Sequence, residues 1–527
     1  MSVADVGAQI DRIDASDAGA PRKRITILGA GMAGIVAAYE LSRLGHEITL
    51  IEAQDRVGGR VWTKRFDNGQ YHELGAMRIH EVHHNIFYYI KLFDLKTRPF
   101  LSHHDDPDSF YHFRGISAPH SQYKSRLLPG FTLGKNDLAL LADGDAPAAA
   151  LMAVVSKAAE QIREDPASRK ALFGEGPMTD LVARYDRMSL REFWGRQLET
   201  NDAVELVGVA TGLEMFGDMA ATMFMREEIA QEGSKLHEIK GGTDLLPTAI
   251  FGAVRSRGNV EVKLKTEVLA IHNQRGGVQL TLGTPAGGKA DRDREIERVD
   301  ADFVICTLPF STMRQMVVSG IPADKQRAIR TYGYADSAKV LFSCAERFWE
   351  TEYNIFGGGS QMDLINRQIY YPSDSSEKVS KDAPRQAGMV HFADQIDFGR
   401  PKPEVATKGP GALVGSYVWG ADSRRLGSLS EADRAIVVRK CVAEIHPEIM
   451  RKDMVLETAS IDWSRFRWSA GAFSFMRPGD LRQYAVVTRP EGRLYFAGEH
   501  CAMEQGWIEG AVVSALTAVQ NIVSRKD

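Results

Sequence analysis

The apolar run at residues 25–28, within Arg24–Ala53, is too short for a helix and fits a buried parallel strand. Gly29, Gly31 and Gly34 follow at GxGxxG spacing, a helical pattern runs to Gly45, and a second apolar run at 48–51 leads into Glu52. In such a strand–helix–strand unit the first glycine permits a tight turn, the second lets backbone approach a pyrophosphate, and the third lets helix pack on strand. The helix then offers unpaired N–H groups and a partial positive charge to phosphate. Glu52 is placed to accept hydrogen bonds from a ribose. Met32, Ala33 and Ala53, interleaved with these residues, belong to the same expected dinucleotide contact surface.

Further along, residues 133–229 show helical patterning with almost no strand signal, as in LMAVVSKAAEQIRE. Strand and turn patterns resume at HEIKGGTDLLPTAIFGAV and continue through GNVEVKLKTEVLAIHNQ and GVQLTLGT. The charged segment PAGGKADRDREIERVDA reads as a solvated hairpin loop, and ADFVICTLP as another buried strand ending in a proline turn. Strands and short helices alternate from about Arg330 to Thr458. The last segment, from Gly492, reads as a strand, a glycine turn, a polar loop and a long amphipathic helix. A cofactor domain opened at the N-terminus is thus expected to be completed from the C-terminus.

Directly after the acid comes DRVGGR, with Arg56, Gly58, Gly59 and Arg60. Two further glycines and two guanidinium groups near a pyrophosphate suit a longer, more enclosed dinucleotide than NAD, and Arg60 can meet phosphate as a planar fork. FAD is therefore the expected cofactor.

Composition narrows the rest. At 527 residues the chain should divide into two or three domains, with 44% hydrophobic and 25% charged residues in the ordinary range of soluble enzymes. A formal charge of −4 argues for neither nucleic acid nor an acidic membrane surface. The 14 histidines show no metal-ligand spacing, so no metal is expected. Cys306, Cys344, Cys441 and Cys501 are far apart and form no CxxC, which reads as free thiols in a reducing compartment. The first two dozen residues hold acids and no apolar core, so no secretory signal is expected, and no membrane-length apolar run occurs. A soluble, cytoplasmic protein is the expectation.

Taken with the glycine fingerprint, the motifs DRVGGR, HELGAMRI, KGGTDLLP, FAGEH and GWIEGA resemble, in order, those of the flavin amine oxidase family. Within it the chain looks most like the L-amino acid oxidases of bacterial and snake-venom type, from Arg22 to the C-terminus. The resemblance implies an α/β protein with a Rossmann-like FAD-binding domain built from residues 22–75, 235–315 and 458–527. A mixed-sheet substrate-binding domain would take 76–131 and 316–457, an inserted helical domain 132–234, and residues 1–21 would form an extension. It also implies a homodimer or higher homo-oligomer that oxidises an L-amino acid with O2 to a 2-oxo acid, ammonia and hydrogen peroxide.

Roles follow from matching positions. Arg78, in GAMRI, falls where the amino acid oxidases hold the substrate carboxylate, and Gly75, Ala76, Met77 and Arg78 would contact flavin. A guanidinium suits a carboxylate physically, although a structural ion pair is a competing reading. Tyr417 matches the tyrosine whose hydroxyl joins that clamp, and Trp419, on the same strand face, would line the side-chain pocket. Lys339, the catalytic candidate, matches a lysine that holds a water at flavin N5. A lysine inside an apolar strand is costly unless paired, wetted or snorkelling at an edge. Trp463, Gly506, Trp507 and Ile508 would flank the flavin ring, with the Gly506 carbonyl accepting from the substrate amine. Gly498 and Glu499 would meet the ribityl chain, and Val268 the adenine through its backbone. Where covalent members have a cysteine, this chain has Ala472 and Phe473, so FAD should be non-covalent. Arg226 falls near the venom enzymes' mobile histidine and is left unassigned, as are Asp422 and Glu509 in side-chain selection. Rival readings are an amino acid 2-monooxygenase, an oxidase of amines lacking a carboxylate, and a redox-inactive binding protein on this fold.

Overall fold

The strand Arg24–Leu28 sits at the centre of a five-stranded parallel sheet. It pairs with Glu47–Ile51 on one side (Ile25 opposite Ile48) and with Phe303–Cys306 on the other (Ile25 opposite Phe303). Val260–Lys263 and Leu494–Phe496 complete the edges, so both ends of the chain contribute to one sheet. The helices Met32–Arg43, Leu245–Arg255 and Ile508–Val523 share one apolar core with Ile25 and Ile27, while Leu28, Val304 and Cys306 belong to a second core, so the central strand is buried on both faces and is apolar at consecutive positions. The computed structural model describes residues 3–102, 105–143, 147–231, 233–285, 295–378 and 408–525.

A second sheet takes Ile296–Ala301, Gly277–Gly283, Glu267–Gln274 and Val317–Ser319 in that order, with a register irregularity between Val268 and Ala270. The third has seven strands, in the order Val455–Asp462, Ser337–Cys344, Gly411–Trp419, Gln368–Tyr370, Gly359–Met362, Phe110–Phe113 and Ile116–Pro119. All eight positions of Ser337–Cys344 are buried, because an apolar core lies on each face of this sheet.

Between residues 135 and 231 the described chain is helical, and local capping explains several boundaries. Asp165, Thr179 and Thr200 each accept from backbone N–H groups of the helix that follows, and Ser189 with Glu192 forms a capping box. The N-terminal residues outside the family resemblance also form a helix, Val3–Asp17, which buries Val6, Ile10 and Ile13. Asp14 fixes it to the helix Met32–Arg43 through a two-pronged pair with Arg43 at 2.6 and 2.8 Å.

Three expectations are corrected. The segment read as strand and turn from His237 becomes strand Leu236–Ile239 followed by helix Leu245–Arg255, whose Leu246, Ile250 and Val254 recur at helical spacing on the buried face. The charged segment read as a loop ends in a strand, Ile296–Ala301, whose charges are tolerated because it is a sheet edge; residues 286–294 of it lie outside the described residues. Strand pairing also crosses two expected borders: Val317–Ser319 joins the sheet of Glu267–Gln274, and Val455–Asp462 runs through position 458 within the seven-stranded sheet. Among the described residues no helix is long and apolar enough to cross a membrane.

Candidate active site

The glycine turn at the end of Arg24–Leu28 is shaped by contact. A Cβ on Gly34 would lie 1.9 Å from the Gly29 carbonyl oxygen, so the helix can approach the turn this closely only with glycine there. Glu52, at the end of the neighbouring strand, accepts from the N–H of Ala30 at 2.7 Å and of Gln54 at 2.9 Å. Burial raises its pKa, and those two N–H groups pull it part of the way back.

From this turn a cavity of about 620 Å³ runs to the face of the seven-stranded sheet. Its wall includes Gly29, Gly31, Met32, Ala33, Glu52 and Ala53 at one end, and Lys339, Tyr417, Trp463 and Trp507 at the other. Arg60, Gly75, Ala76, Val268, Gly498, Glu499, Gly506 and Ile508 also line it. Of the expected contacts, Gly34, Met77, Arg78 and Trp419 are not among the residues lining it; Arg78 lies 5.9 Å from the centre of the Trp507 ring and the Trp419 ring 4.4 Å from that of Tyr417.

Arg60 does not face the cavity uncommitted. Its Nη1 donates to the Ala472 carbonyl and to Glu499 Oε1, both at 2.9 Å. Glu499 also accepts from the N–H of Gly506 at 3.0 Å and the hydroxyl of Ser474 at 2.8 Å. Burial opposes its ionisation, yet Arg60 and these donors hold it below the usual carboxylate range.

Lys339 is 1% exposed, which excludes a snorkelling edge position. Its Nζ donates to the carbonyls of Gly75 (2.7 Å) and Glu73 (3.1 Å), touches Met77 Sδ at 3.4 Å, and lies 4.4 Å from the centre of the Tyr417 ring. Burial lowers its pKa, Glu73 opposing and Arg78 reinforcing the effect. The Glu73 carboxyl is raised by burial in turn, while accepting from Thr63 and from the Thr243 N–H.

Arg78 donates from Nη1 to the hydroxyl of Tyr370 at 3.1 Å and lies 5.9 Å from the centre of the Trp507 ring. Among the described residues no carboxylate lies within ion-pair distance of it, so the competing reading as a structural ion pair is not what this geometry offers. Burial works against its charge, but the neighbouring tyrosines Tyr370 and Tyr417 hold it in the charged form. Tyr417, Trp419, Phe216 and Phe473 make a chain of rings with centres 4.4, 4.9 and 5.9 Å apart.

A long cavity that starts at a dinucleotide-type glycine turn is in keeping with what comparison with known proteins finds. The family of flavin containing amine oxidoreductases matches residues 32–523. The chain belongs to that family. It is a flavin-dependent oxidoreductase. It is 32% identical to a flavin-dependent L-tryptophan oxidase of Lentzea aerocolonigenes, over 95% of this chain and 98% of that one. An L-amino-acid oxidase of Pseudechis australis is 28% identical over 96% of this chain and 88% of that one. Among solved structures, a putrescine oxidase with bound putrescine matches at TM-score 0.68 and 18% identity, covering 96% of this chain and 100% of that one. A cyclohexylamine oxidase of Brevibacterium oxydans matches at TM-score 0.67 and 17% identity, covering 95% and 99%. At those identities the two structures show the fold.

Sequence reasoning missed several neighbours in this flavin enzyme. Thr307, Leu308 and Pro309 line the cavity from the loop after Phe303–Cys306, and the rule that ligands gather at the carboxyl ends of parallel strands points to them. Tyr370, Phe216 and Glu227 have no local signal, since each reaches the site from an element remote in sequence. Glu227 Oε1 accepts from the Trp507 indole N–H at 3.2 Å. Arg226 is 3% exposed and touches Met503 Sδ at 3.3 Å, on a small cavity that shares Trp507 with the large one. Asp422 pairs with Arg367 and Arg425, and Glu509 accepts from Asn85 and Ile86, so both are engaged in structural contacts.

Proposed function

We propose that this chain is an FAD-dependent L-amino acid oxidase that releases a 2-oxo acid, ammonia and hydrogen peroxide. The observation that carries the reading is Arg78: charged, half-buried, hydrogen-bonded to Tyr370 and, among the described residues, with no carboxylate within ion-pair distance, Glu227 acting on it only from further away. A substrate carboxylate supplies the missing partner in a two-pronged geometry. An oxidase of plain amines has no use for such a group.

The residues fit FAD held without a covalent bond. Gly31 and the helix behind it would take the pyrophosphate, Glu52 the adenosine ribose, Val268 the adenine, and Trp463 and Trp507 the walls around the ring. FAD, when bound, supplies the oxidising ring that accepts a hydride from the substrate Cα and passes the electrons to O2. The protein's part is positioning and exclusion of water. Arg78 and Tyr370 orient the carboxylate, with Tyr417 beside them. The Gly506 carbonyl accepts from the amine. Lys339, its pKa lowered by burial, places Nζ close to Gly75 on the cavity wall.

We assign the parallel sheet to the cofactor, the seven-stranded sheet to the substrate, and the helical segment to covering the side-chain end through Phe216. Four unpaired cysteines support a reducing, cytoplasmic setting. A peroxide assay across the twenty amino acids, with 2-oxo acid and amide products both measured, tests the reading. Amide with CO2 as the main product replaces it with a 2-monooxygenase; oxidation of amines but of no amino acid overturns it.

A further inference from the structure

Trp507 caps the last helix, Ile508–Val523, and lines both cavities. Three kinds of contact fix that ring. The His80 imidazole meets it edge-on with centres 4.6 Å apart and 71° between planes, and His83 does the same at 5.1 Å and 65°. The Arg78 guanidinium lies 5.9 Å from its centre. On the polar edge, the indole N–H donates to Glu227 Oε1 at 3.2 Å.

The two histidines are buried, and burial drives both pKa values far down, so they are neutral rings at any working pH. They bring no charge to the site. Packing alone leaves an indole free to slide in its plane, whereas a hydrogen bond at Nε1 fixes its rotation. Glu227 is the residue that supplies it. It sits on the helix Ala221–Gln231, more than two hundred residues from Trp507, and no step of the proposed chemistry uses it.

We propose that Glu227 is a positioning residue: its carboxyl oxygen holds the Trp507 indole in the orientation that walls the cavity and supports Arg78 beside it. The inference rests on the reading of Arg78 and Trp507 as parts of the substrate site. Displacing the indole loosens the guanidinium packed against it, so the loss falls on substrate binding and appears in KM. Glutamine at 227 retains a carbonyl acceptor of the same reach, whereas leucine removes it.

The test uses the flavin-loaded enzyme with Glu227→Gln, Glu227→Leu, Trp507→Phe and the double variant Glu227→Leu/Trp507→Phe. Near-ultraviolet circular dichroism needs no substrate; the signal lost in Trp507→Phe identifies the indole, and Glu227→Leu should lose it while Glu227→Gln keeps it. In steady-state kinetics Glu227→Leu should raise KM about tenfold, the scale of a hydrogen bond to a charged acceptor, and Glu227→Gln less than threefold. In the Trp507→Phe background Glu227→Leu should cost nothing further. An unchanged dichroism signal in Glu227→Leu overturns the proposal. So does an equal loss in both Glu227 variants, or a full loss in the Trp507→Phe background. Should no amino acid be oxidised by the parent, the substrate reading fails, and the dichroism arm still decides whether Glu227 holds Trp507.

Discussion

Lys339 Nζ donates to the Gly75 carbonyl across 2.7 Å, and this bond joins Ser337–Cys344, the second strand of the seven-stranded sheet, to the turn that leads into Arg78. Gly75 is itself constrained there, since a Cβ would fall 2.0 Å from the Arg60 carbonyl. The lysine is thus part of the cavity wall's framework as well as a buried amine on that wall. Lys339→Met strands two carbonyls that have lost a donor, at a cost of about 1–3 kcal/mol each. Flavin content should stay near the parent's, while turnover falls roughly tenfold or more, with reoxidation by O2 the more affected half-reaction in stopped flow. Parental rates in both half-reactions, measured on a folded variant, would show that Lys339 is structural only.

Arg78→Lys keeps the charge and loses the fork. A loss of about 1.5–3 kcal/mol in kcat/KM is expected, the range for hydrogen bonds to charged groups. Tyr370→Phe removes a hydroxyl bonded to Arg78 and should cost less, about 1 kcal/mol, through poorer orientation of the guanidinium. Steady-state kinetics on the best amino acid compares the two. An Arg78→Lys enzyme as efficient as its parent would remove the carboxylate role.

The contrast between those residues shows what a chain can reveal by itself. The glycine turn, Glu52 and the C-terminal helix were legible because each depends on neighbours a few residues away. Arg78 was legible through its motif. Tyr370 was not, because its bond to Arg78 spans 292 positions and nothing local marks it. Glu227 is hidden for the same reason: on a helix a glutamate is unremarkable until its partner is known. The helix Leu245–Arg255 was misread because its glycine-rich approach looks like turn-and-strand, and the packing that selects helix comes from the parallel sheet. The edge strand Ile296–Ala301 was hidden by charges that only an exposed edge tolerates.

Flavin should leave the protein intact on acid precipitation. No cysteine is among the residues lining the cavity, and at the position where a covalent link would form stand Ala472, whose carbonyl is bound by Arg60, and Phe473. The supernatant should hold FAD, identified by its mass. A yellow pellet that retains its colour after denaturing washes contradicts this.

Glu509 gives the enzyme a pH-dependent stability that can be isolated. Its carboxyl is 5% exposed and accepts from the N–H and side-chain amide of Asn85 and from the N–H of Ile86. Burial outweighs these donors, with Glu504 adding repulsion, and the pKa is pushed up to about 7. A folded pKa above the unfolded one means that the native state binds the proton more tightly. The stabilisation is therefore complete below the ordinary carboxylate range and is lost as pH rises through about 7. Glu509→Gln has no such titration. The stability difference between parent and variant, from urea unfolding of the flavin-loaded proteins, should shift against the parent by about 3 kcal/mol between pH 4.5 and pH 8. Parallel curves across that window would mean that Glu509 is ionised in the native state throughout, with its three donors outweighing burial.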